Sequence, residues 1–418
     1  MDVRVVEIEG EFLVDPIVAS QARLIVLFRG MPVGFSTATA AEFENPESLR
    51  VRLVEEHRTS ITERLATFDL GRGGLWVDRS IWRNVSVVMC TRDRPEDVGD
   101  CLDSIPAHIY EIVVVDNAPS DDRTQAICEA RPNVRYVKEM RPGLDWARSR
   151  GVLEASGDIV AFIDDDVRVT PLWLDALQGA FATGDSVKAV TGLVAPYMLE
   201  TEAQRLFEDN YGGFGRGFRP WWTTVPAAEL DRAAKRFGLT QHYGTGANMA
   251  FDRSHLLDVG LFDPAMDVGT PTNGGGDLEM FFRSLKAGVT LAYAPHMLVL
   301  HRHRRDIAEL ERQLENNGIG MASYLTCISR RYPSERAAAV RLWRELRDWN
   351  TWRLKEIATS GRVDVPIEMI EKERAGLVTG LDRYRQARRL ASTVAHDFER
   401  DEVTDAALKL LQGGSRDA

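Results

Sequence analysis

Residues 158–167 read DIVAFIDDDV, five apolar residues from Ile159 to Ile163 that stop at three consecutive aspartates, Asp164, Asp165 and Asp166. An apolar run of this length fits one buried strand, and an abrupt polar end fits the carboxyl edge of a parallel sheet. Three adjacent like charges repel unless a cation, hydrogen bonds or open water relieves them. The stretch raises a fold and a candidate site together.

Outward from it, the same rhythm repeats. VSVVMC (85–90), EIVVVD (111–116) and VRYVKE (134–139) are short apolar segments. Helical patterns follow them, one from Pro95, one from Thr124 to Ala130 and one from Leu144 to Ala155, and another starts near Pro171 past the aspartates. This alternation predicts βαβ units with right-handed crossovers, hence an α/β fold with a Rossmann-like, mostly parallel, doubly wound sheet. Ligands of such sheets gather outside the carboxyl ends of the strands. Three of those ends carry polar residues: Thr91 and Arg92, Asp116 and Asn117, and the aspartate triplet.

The flanks divide the chain. Residues 1–80 read as a small N-terminal α/β domain: RLIVLFRG and VGFSTA form a hairpin around Met31 and Pro32, a single helix runs from Pro46 to Phe68, and GRGG at 71–74 is a linker. Residues 84–190, with the alternating strands and helices, read as the first half of a second domain. Residues 191–305 form its other half, with AVTGLVAP, the loop YGGFGRGFRPWW (211–222), GTGANMAF, the glycine-rich GTPTNGGGD, the helix DLEMFFRSLKAG and a strand pair, VTLAYAP and MLVLHRH. The helix should bury Leu278, Phe281, Phe282 and Leu285. Residues 306–418 read as a helical C-terminal region.

Composition narrows the class. The 418 residues are 44% hydrophobic and 28% charged with a net charge of -11, an ordinary globular balance that argues against nucleic acid as a bulk partner. The N-terminal MDVRVVEIEGEF lacks the basic and apolar regions of a signal peptide, and no run approaches a membrane span. Cys90, Cys101, Cys128 and Cys327 have neither metal spacing nor disulfide density, which suits the cytoplasm. The basic stretch RYRQARR (383–389) reads as a solvated helix face, with peripheral contact to an anionic membrane as its alternative.

Each marked residue has a plain reading beside its chemical one. An Asp-x-Asp after a strand can cap the next helix or hold magnesium or manganese, hard cations that favour carboxylate oxygens. Asp116 can make a turn with Asn117 and Pro119, or accept hydrogen bonds from a ribose or a base. Asp277 can cap its helix or serve as a general base beside a glycine loop. His301 and His303 fall on one strand face, where a carboxylate site would make either a ligand, and the run HRHRR could steady a diphosphate.

In order and spacing these features resemble the family 2 glycosyltransferases of the GT-A fold. VSVVMCTRDRP resembles that family's first strand and nucleotide loop, EIVVVDNAPSDD its nucleoside-binding aspartate, and GLDWARSRGVLEASGDIVAFIDDDV its basic run ending in the metal-binding DxD. GGGDLEMFFR stands where the acidic motif carries the base, and LVLHRH where a late histidine binds metal. The resemblance covers about residues 85–305. It implies that Cys90, Thr91, Arg92, Asp116, Arg148, Asp164 and Asp165 bind the nucleotide sugar, that Asp166 and His301 hold a divalent metal (Mg2+ or Mn2+), and that Asp277 is the base of an inverting transfer. The acceptor it implies is a glycan, a lipid-linked or a small-molecule hydroxyl. Trp221, Trp222 and Asn248 are candidates for the acceptor side, the tryptophans either as a lid or as plugs into the core. Two departures stand out: Gly276 precedes Asp277 where the family has an acid, and Ser149 follows Arg148 where it has asparagine.

Two other classes fit the pattern less well. A sugar nucleotidyltransferase would want a glycine-rich, lysine-bearing loop after the first strand, and CTRDRPED has no glycine. A non-catalytic nucleotide- or glycan-binding module is favoured only by Gly276.

Overall fold

Two sheets organise the residues that the computed structural model describes, 1–9, 19–69, 77–224, 240–360 and 365–412; the expected linker at 71–74 lies outside them. The first sheet is three-stranded, with β1 (Asp2–Glu7) parallel to β2 (Gln21–Phe28) and β2 antiparallel to β3 (Met31–Thr39). The expected hairpin is there. The single helix expected from Pro46 to Phe68 is instead two, Pro46–Glu56 and Arg58–Asp69, broken at His57. The break has a tertiary cause: the His57 ring lies 2.8 Å from Ser36 Oγ and directly over Gly34, where a Cβ would come within 2.2 Å of the ring.

The second sheet has nine strands. β4 (Val85–Thr91), β5 (Glu111–Asn117), β6 (Val134–Glu139) and β7 (Ile159–Asp164) are its parallel core. Beyond them come β8 (Val167–Val169), β9 (Val187–Pro196), β10 (Trp221–Thr223), β11 (Asn248–Asp252) and β12 (Thr290–His301). The order is β10-β12-β9-β11-β7-β4-β5-β6, with β8 paired to β12. β11 runs antiparallel between β7 and β9, and β12 is parallel to β9. The chain builds outward from β4 to β5 and β6, then crosses back to lay β7 on the other flank of β4. That reversal puts the topological switch point, where α/β sheets bind ligands, between the ends of β4 and β7.

Period-two alternation explains the two cores. Val87 and Met89 face the helices Pro95–Leu102 and Trp173–Ala182, whereas Val88 faces Phe281, Phe282 and the C-terminal helices. The strand pair expected from VTLAYAP and MLVLHRH is one strand, β12, with a register irregularity between Ala294 and Val299 where Pro295 offers no N–H. The C-terminal region is helical as expected: Ile307–Arg331, Arg336–Ser360, Ile367–Asp397 and Glu402–Gln412. The first and third of these helices touch backbone to backbone. A Cβ on Gly318 would sit 2.2 Å from the Glu373 carbonyl, and one on Gly376 2.1 Å from that of Glu315. Among the described residues no helix is long and apolar enough to cross a membrane. RYRQARR lies on Ile367–Asp397, with Tyr384 and Ala387 turned inward and Arg385 and Arg389 exposed.

Candidate functional site

The triplet sits at the switch point, and its three members do different work. Thr91 Oγ1 donates to Asp165 Oδ2 at 2.7 Å, and Arg94 Nη1 donates to Asp165 Oδ1 at 3.1 Å and Asp166 Oδ2 at 3.2 Å. Asp165, expected to face a nucleotide sugar, thus has both oxygens engaged within the loop. Asp164, Asp166 and His301 each place one ligand atom so that all lie within 4.8 Å of one another. Asp166 Oδ1 is buried without a hydrogen-bond partner, although His301 Nε2 lies 3.3 Å away. Two carboxylate oxygens and an imidazole nitrogen around an unsatisfied atom fit Mg2+ or Mn2+. Burial, then the charge of Asp166, pushes Asp164 up to about 7 and Asp165 up to about 6. Arg94 escaped the sequence reading; its only signal was a basic residue just ahead of the helix that Pro95 begins.

At the end of β5, Asp116 is fully buried. Tyr136 Oη donates to its Oδ2 at 3.0 Å, and its Oδ1 has no partner, so burial raises its pKa. The turn reading fails for this side chain. Turn geometry falls instead to its neighbours: Asn117 Oδ1 accepts from Gly143 N at 2.9 Å, and Asp93, at φ 56°, accepts from Ser120 N and Oγ at 2.8 Å. Cys90 pairs with Asp164 across β4 and β7, its thiol pushed up by burial. Arg92 is exposed, 3.7 Å from Asp93.

Arg148 is the hub of the next shell. Buried, it donates to Asp145 Oδ1 at 3.0 Å and to Asp267, and it also feels the charges of Asp164 and Asp277. Asp277 is the second residue of the helix Gly276–Lys286; the cap is Gly275, at φ 93°, so the plain capping role is taken. Its Oδ2 accepts from Gly246 N and its Oδ1 from Leu278 N, both at 2.8 Å. Burial, reinforced by Asp267, nevertheless raises its pKa, which strengthens it as a proton acceptor near neutral pH. Position 276 explains itself: a Cβ there would lie 2.2 Å from Asp145 Oδ2 and 2.8 Å from Asp267 Oδ2. Two carboxylates already fill the space, and Asp267 supplies the tuning charge. Gly320 in Ile307–Arg331 lets this glycine loop dock on the helix, with a Cβ at Gly275 only 2.8 Å from the Gly320 carbonyl.

The acceptor-side candidates separate. Asn248 is fully buried: Oδ1 accepts from Trp173 Nε1 at 2.9 Å, and Nδ2 donates to the carbonyls of Leu193 at 3.1 Å and Met297 at 2.7 Å. It braces the irregular part of β12, spends both amide hydrogens inside the sheet and presents no surface to a cleft. Trp221 stacks on Tyr293, centroids 5.4 Å apart, and Trp222 is exposed on the edge strand β10 with Nε1 3.0 Å from Thr183 Oγ1. Trp221 pairs with Tyr293, eight residues before His301 on β12, so the site lies at the strand's other end. In HRHRR, Arg302 pairs with Asp97 and Arg305 with Glu200 at 2.8 Å, while exposed Arg304 has no hydrogen bond or ion pair among the described residues and its charge reaches Asp166 and His301.

Comparison with known proteins points to one family of enzymes. Residues 86–259 match the model of Glycosyl transferase family 2. The glucosyl-dolichyl phosphate glucuronosyltransferase of Haloferax volcanii is 28% identical over 43% of this chain and 56% of its own length. Polypeptide N-acetylgalactosaminyltransferase 11 of Xenopus tropicalis is 29% identical over 50% of this chain and 35% of its own. The match therefore spans between about a third and just over half of these relatives. Among solved structures, a mannosyltransferase from Pyrobaculum calidifontis, in complex with GDP-Man and Mn2+, covers 84% of this chain and 89% of its own at 17% identity and a TM-score of 0.43.

Proposed function

The chain belongs, through residues 86–259, to glycosyl transferase family 2, and we propose that it moves a sugar from a nucleotide diphosphate sugar to an acceptor hydroxyl with inversion at the anomeric carbon. The observation that carries this reading is that one raised-pKa carboxylate, Asp277, and one member of a metal-type donor set, Asp164 beside Asp166 and His301, both act on the same buried Arg148.

The roles follow from chemistry. Asp116 Oδ1, buried and unpartnered, accepts from a base N–H or a ribose hydroxyl. Asp277 takes the proton of the acceptor hydroxyl, whose oxygen bonds to the anomeric carbon as the bond from that carbon to the diphosphate oxygen breaks. Asp164, Asp166 and His301 would hold Mg2+ or Mn2+, which when bound offsets charge on the leaving diphosphate. Arg304 is placed to add to that effect. Attack and departure on opposite faces need no covalent enzyme intermediate. The acceptor class is a glycan, a lipid-linked or a small-molecule hydroxyl, and four free cysteines favour a cytoplasmic setting.

The test is a donor panel. The protein, Mn2+ and UDP-, dTDP- or GDP-sugars should release nucleoside diphosphate with one donor, and the product's anomeric proton should show inversion by NMR. Pyrophosphate-dependent conversion of the same donors to a nucleoside triphosphate and a sugar 1-phosphate would replace this reading with nucleotidyl transfer, and retention would remove Asp277 as the base for a single displacement.

A further inference from the structure

His301 continues away from the metal-type donor set into a buried chain of hydrogen bonds. Its Nδ1 lies 3.1 Å from His303 Nδ1, and His303 Nε2 lies 3.0 Å from Glu208 Oε2. All three side chains are buried. Phe207 stands edge-on to His303 and Phe214 edge-on to His301, both with centroids 5.0 Å apart. Glu208 comes from a π-helical turn, Leu206–Asn210, a local form that often marks functional positions. Its carboxylate is pressed against Gly213, where a Cβ would lie 2.1 Å from Oε2. The YGGFG end of the loop that the sequence set on the acceptor side is thus a cradle for this chain.

Hydrogen-bond polarity runs one way along it. A carboxylate only accepts, so the proton between Glu208 and His303 sits on His303 Nε2. A neutral His303 then presents a lone pair at Nδ1, which accepts the Nδ1 proton of His301. His301 is left with its lone pair on Nε2, the nitrogen beside Asp166. The geometry at that end agrees: His301 Nε2 approaches Asp166 Oδ1 to 3.3 Å without making a hydrogen bond to it. Outer partners of this kind fix a ligand's tautomer and ring orientation.

We propose that Glu208 and His303 are positioning residues that lock His301 in the tautomer able to bind a divalent cation through Nε2. The inference rests on the metal-site part of the functional reading but not on sugar transfer, so its test needs no donor. Mn2+ is titrated into the full chain and followed by electron paramagnetic resonance, with electron spin echo modulation reporting nitrogen bound directly to the ion. The unaltered protein should show the nitrogen signal. Glu208→Leu should lose it and weaken Mn2+ binding by about 10- to 100-fold, whereas Glu208→Gln, whose carbonyl still accepts from His303, should keep both. His303→Phe, which can pack against Phe207 and Phe214, should behave like Glu208→Leu and serves if that variant does not fold. A folded Glu208→Leu or His303→Phe that retains the nitrogen signal and its affinity would overturn the proposal, as would equal loss in Glu208→Gln. Absence of Mn2+ binding by the unaltered protein would overturn the metal site and the relay together. Binding lost in Asp166→Ala but kept in Glu208→Leu would overturn the relay alone.

Discussion

The helix Gly276–Lys286 separates two buried groups of charge that differ in balance. Near its start, Asp277, Asp145, Asp164 and Asp267 surround one guanidinium, Arg148, and Asp145 Oδ2 has no partner. One turn on, Arg331 donates to Asp263 at 2.7 Å and to Glu279, Arg283 donates to Glu279 at 2.6 Å and to the carbonyl of Leu261 at 2.8 Å, and Tyr384 Oη donates to Asp263 at 2.9 Å. There two acids meet two guanidiniums. The balanced group ties the C-terminal helices to the site helix and needs nothing further. The unbalanced group holds acid in excess, which is costly in a buried place unless a ligand completes it.

The largest expected effect tests the unbalanced side. Asp277→Asn keeps the acceptor oxygen for Gly246 N but removes the base, so turnover should fall by about 10²- to 10⁴-fold while Mn2+ affinity holds. An active variant would remove Asp277 from the chemistry, and joint loss of metal affinity and turnover would make it a structural residue. On the balanced side, Arg331→Ala leaves Glu279 and Asp263 underpaired and should cost about 3–5 kcal/mol of stability in a denaturant titration. The comparison breaks if that variant unfolds no more easily than Asp267→Asn, which removes an acid from the side that has too many.

Ligand completion should show next, and more weakly. Mn2+ with the cognate donor should raise the melting temperature more than either alone, a ligand at a hundredfold excess over its Kd adding about 2.7 kcal/mol of stability. If the pair adds nothing, the triplet is a turn held by Thr91 and Arg94. The pH dependence of the metal-free protein follows the same logic. Asp164 and Asp165 titrate higher folded, at about 7 and about 6, than unfolded. Their stabilising contribution is complete below the unfolded value and lost as pH rises through 6 to 7. His255, held at about 4 by burial, works oppositely, its contribution being lost as pH falls from 6.5 toward 4. Between pH 6.5 and 8 the two aspartates contribute a drop of about 1 kcal/mol, most of which Asp164→Asn should remove, while the histidines held low by burial, His255, His296 and His301, keep their opposing gain. An equal drop with saturating Mn2+ present would place its cause outside the metal site.

The contrast also marks what the chain's order of residues could reveal. The parallel core was legible because β4, β5 and β7 are continuous apolar runs between helices, with their polar ends in plain view. The proposed base Asp277, two members of the proposed donor set, Asp166 and His301, and Asp116 were legible for the same reason, since each stands at the end of an element, whereas the sequence assigns Asp164 to the nucleotide sugar and only the fold sets it beside His301. Partners distant in sequence were not. Asp267 fills the place beside Gly276 through a loop that no periodicity describes, and Glu208 reaches His303 across 95 residues. Asn248 reads as a cleft residue because it follows glycines, but it lies on β11, in the interior of the sheet between β7 and β9. The break at His57 depends on Ser36 and Gly34, which only the folded hairpin brings near.

The smallest effect belongs to the sheet edge, where the acceptor-side reading of the tryptophans can still be sharpened. Trp222 is exposed and bonded only to Thr183 among the described residues, so Trp222→Ala should change stability by no more than about 0.5 kcal/mol. Trp221, stacked on Tyr293 and tilted against Tyr243, should cost more when truncated, because its removal opens the seam between β10 and β12. If both are packing residues, Trp222→Ala transfers sugar at the normal rate and Trp221→Ala loses rate only as far as it loses folded protein. A Trp222→Ala that melts normally but needs far more acceptor to reach half its maximal rate would show the acceptor lying across β10, and would extend the ligand-dependent region from the strand ends to the sheet edge.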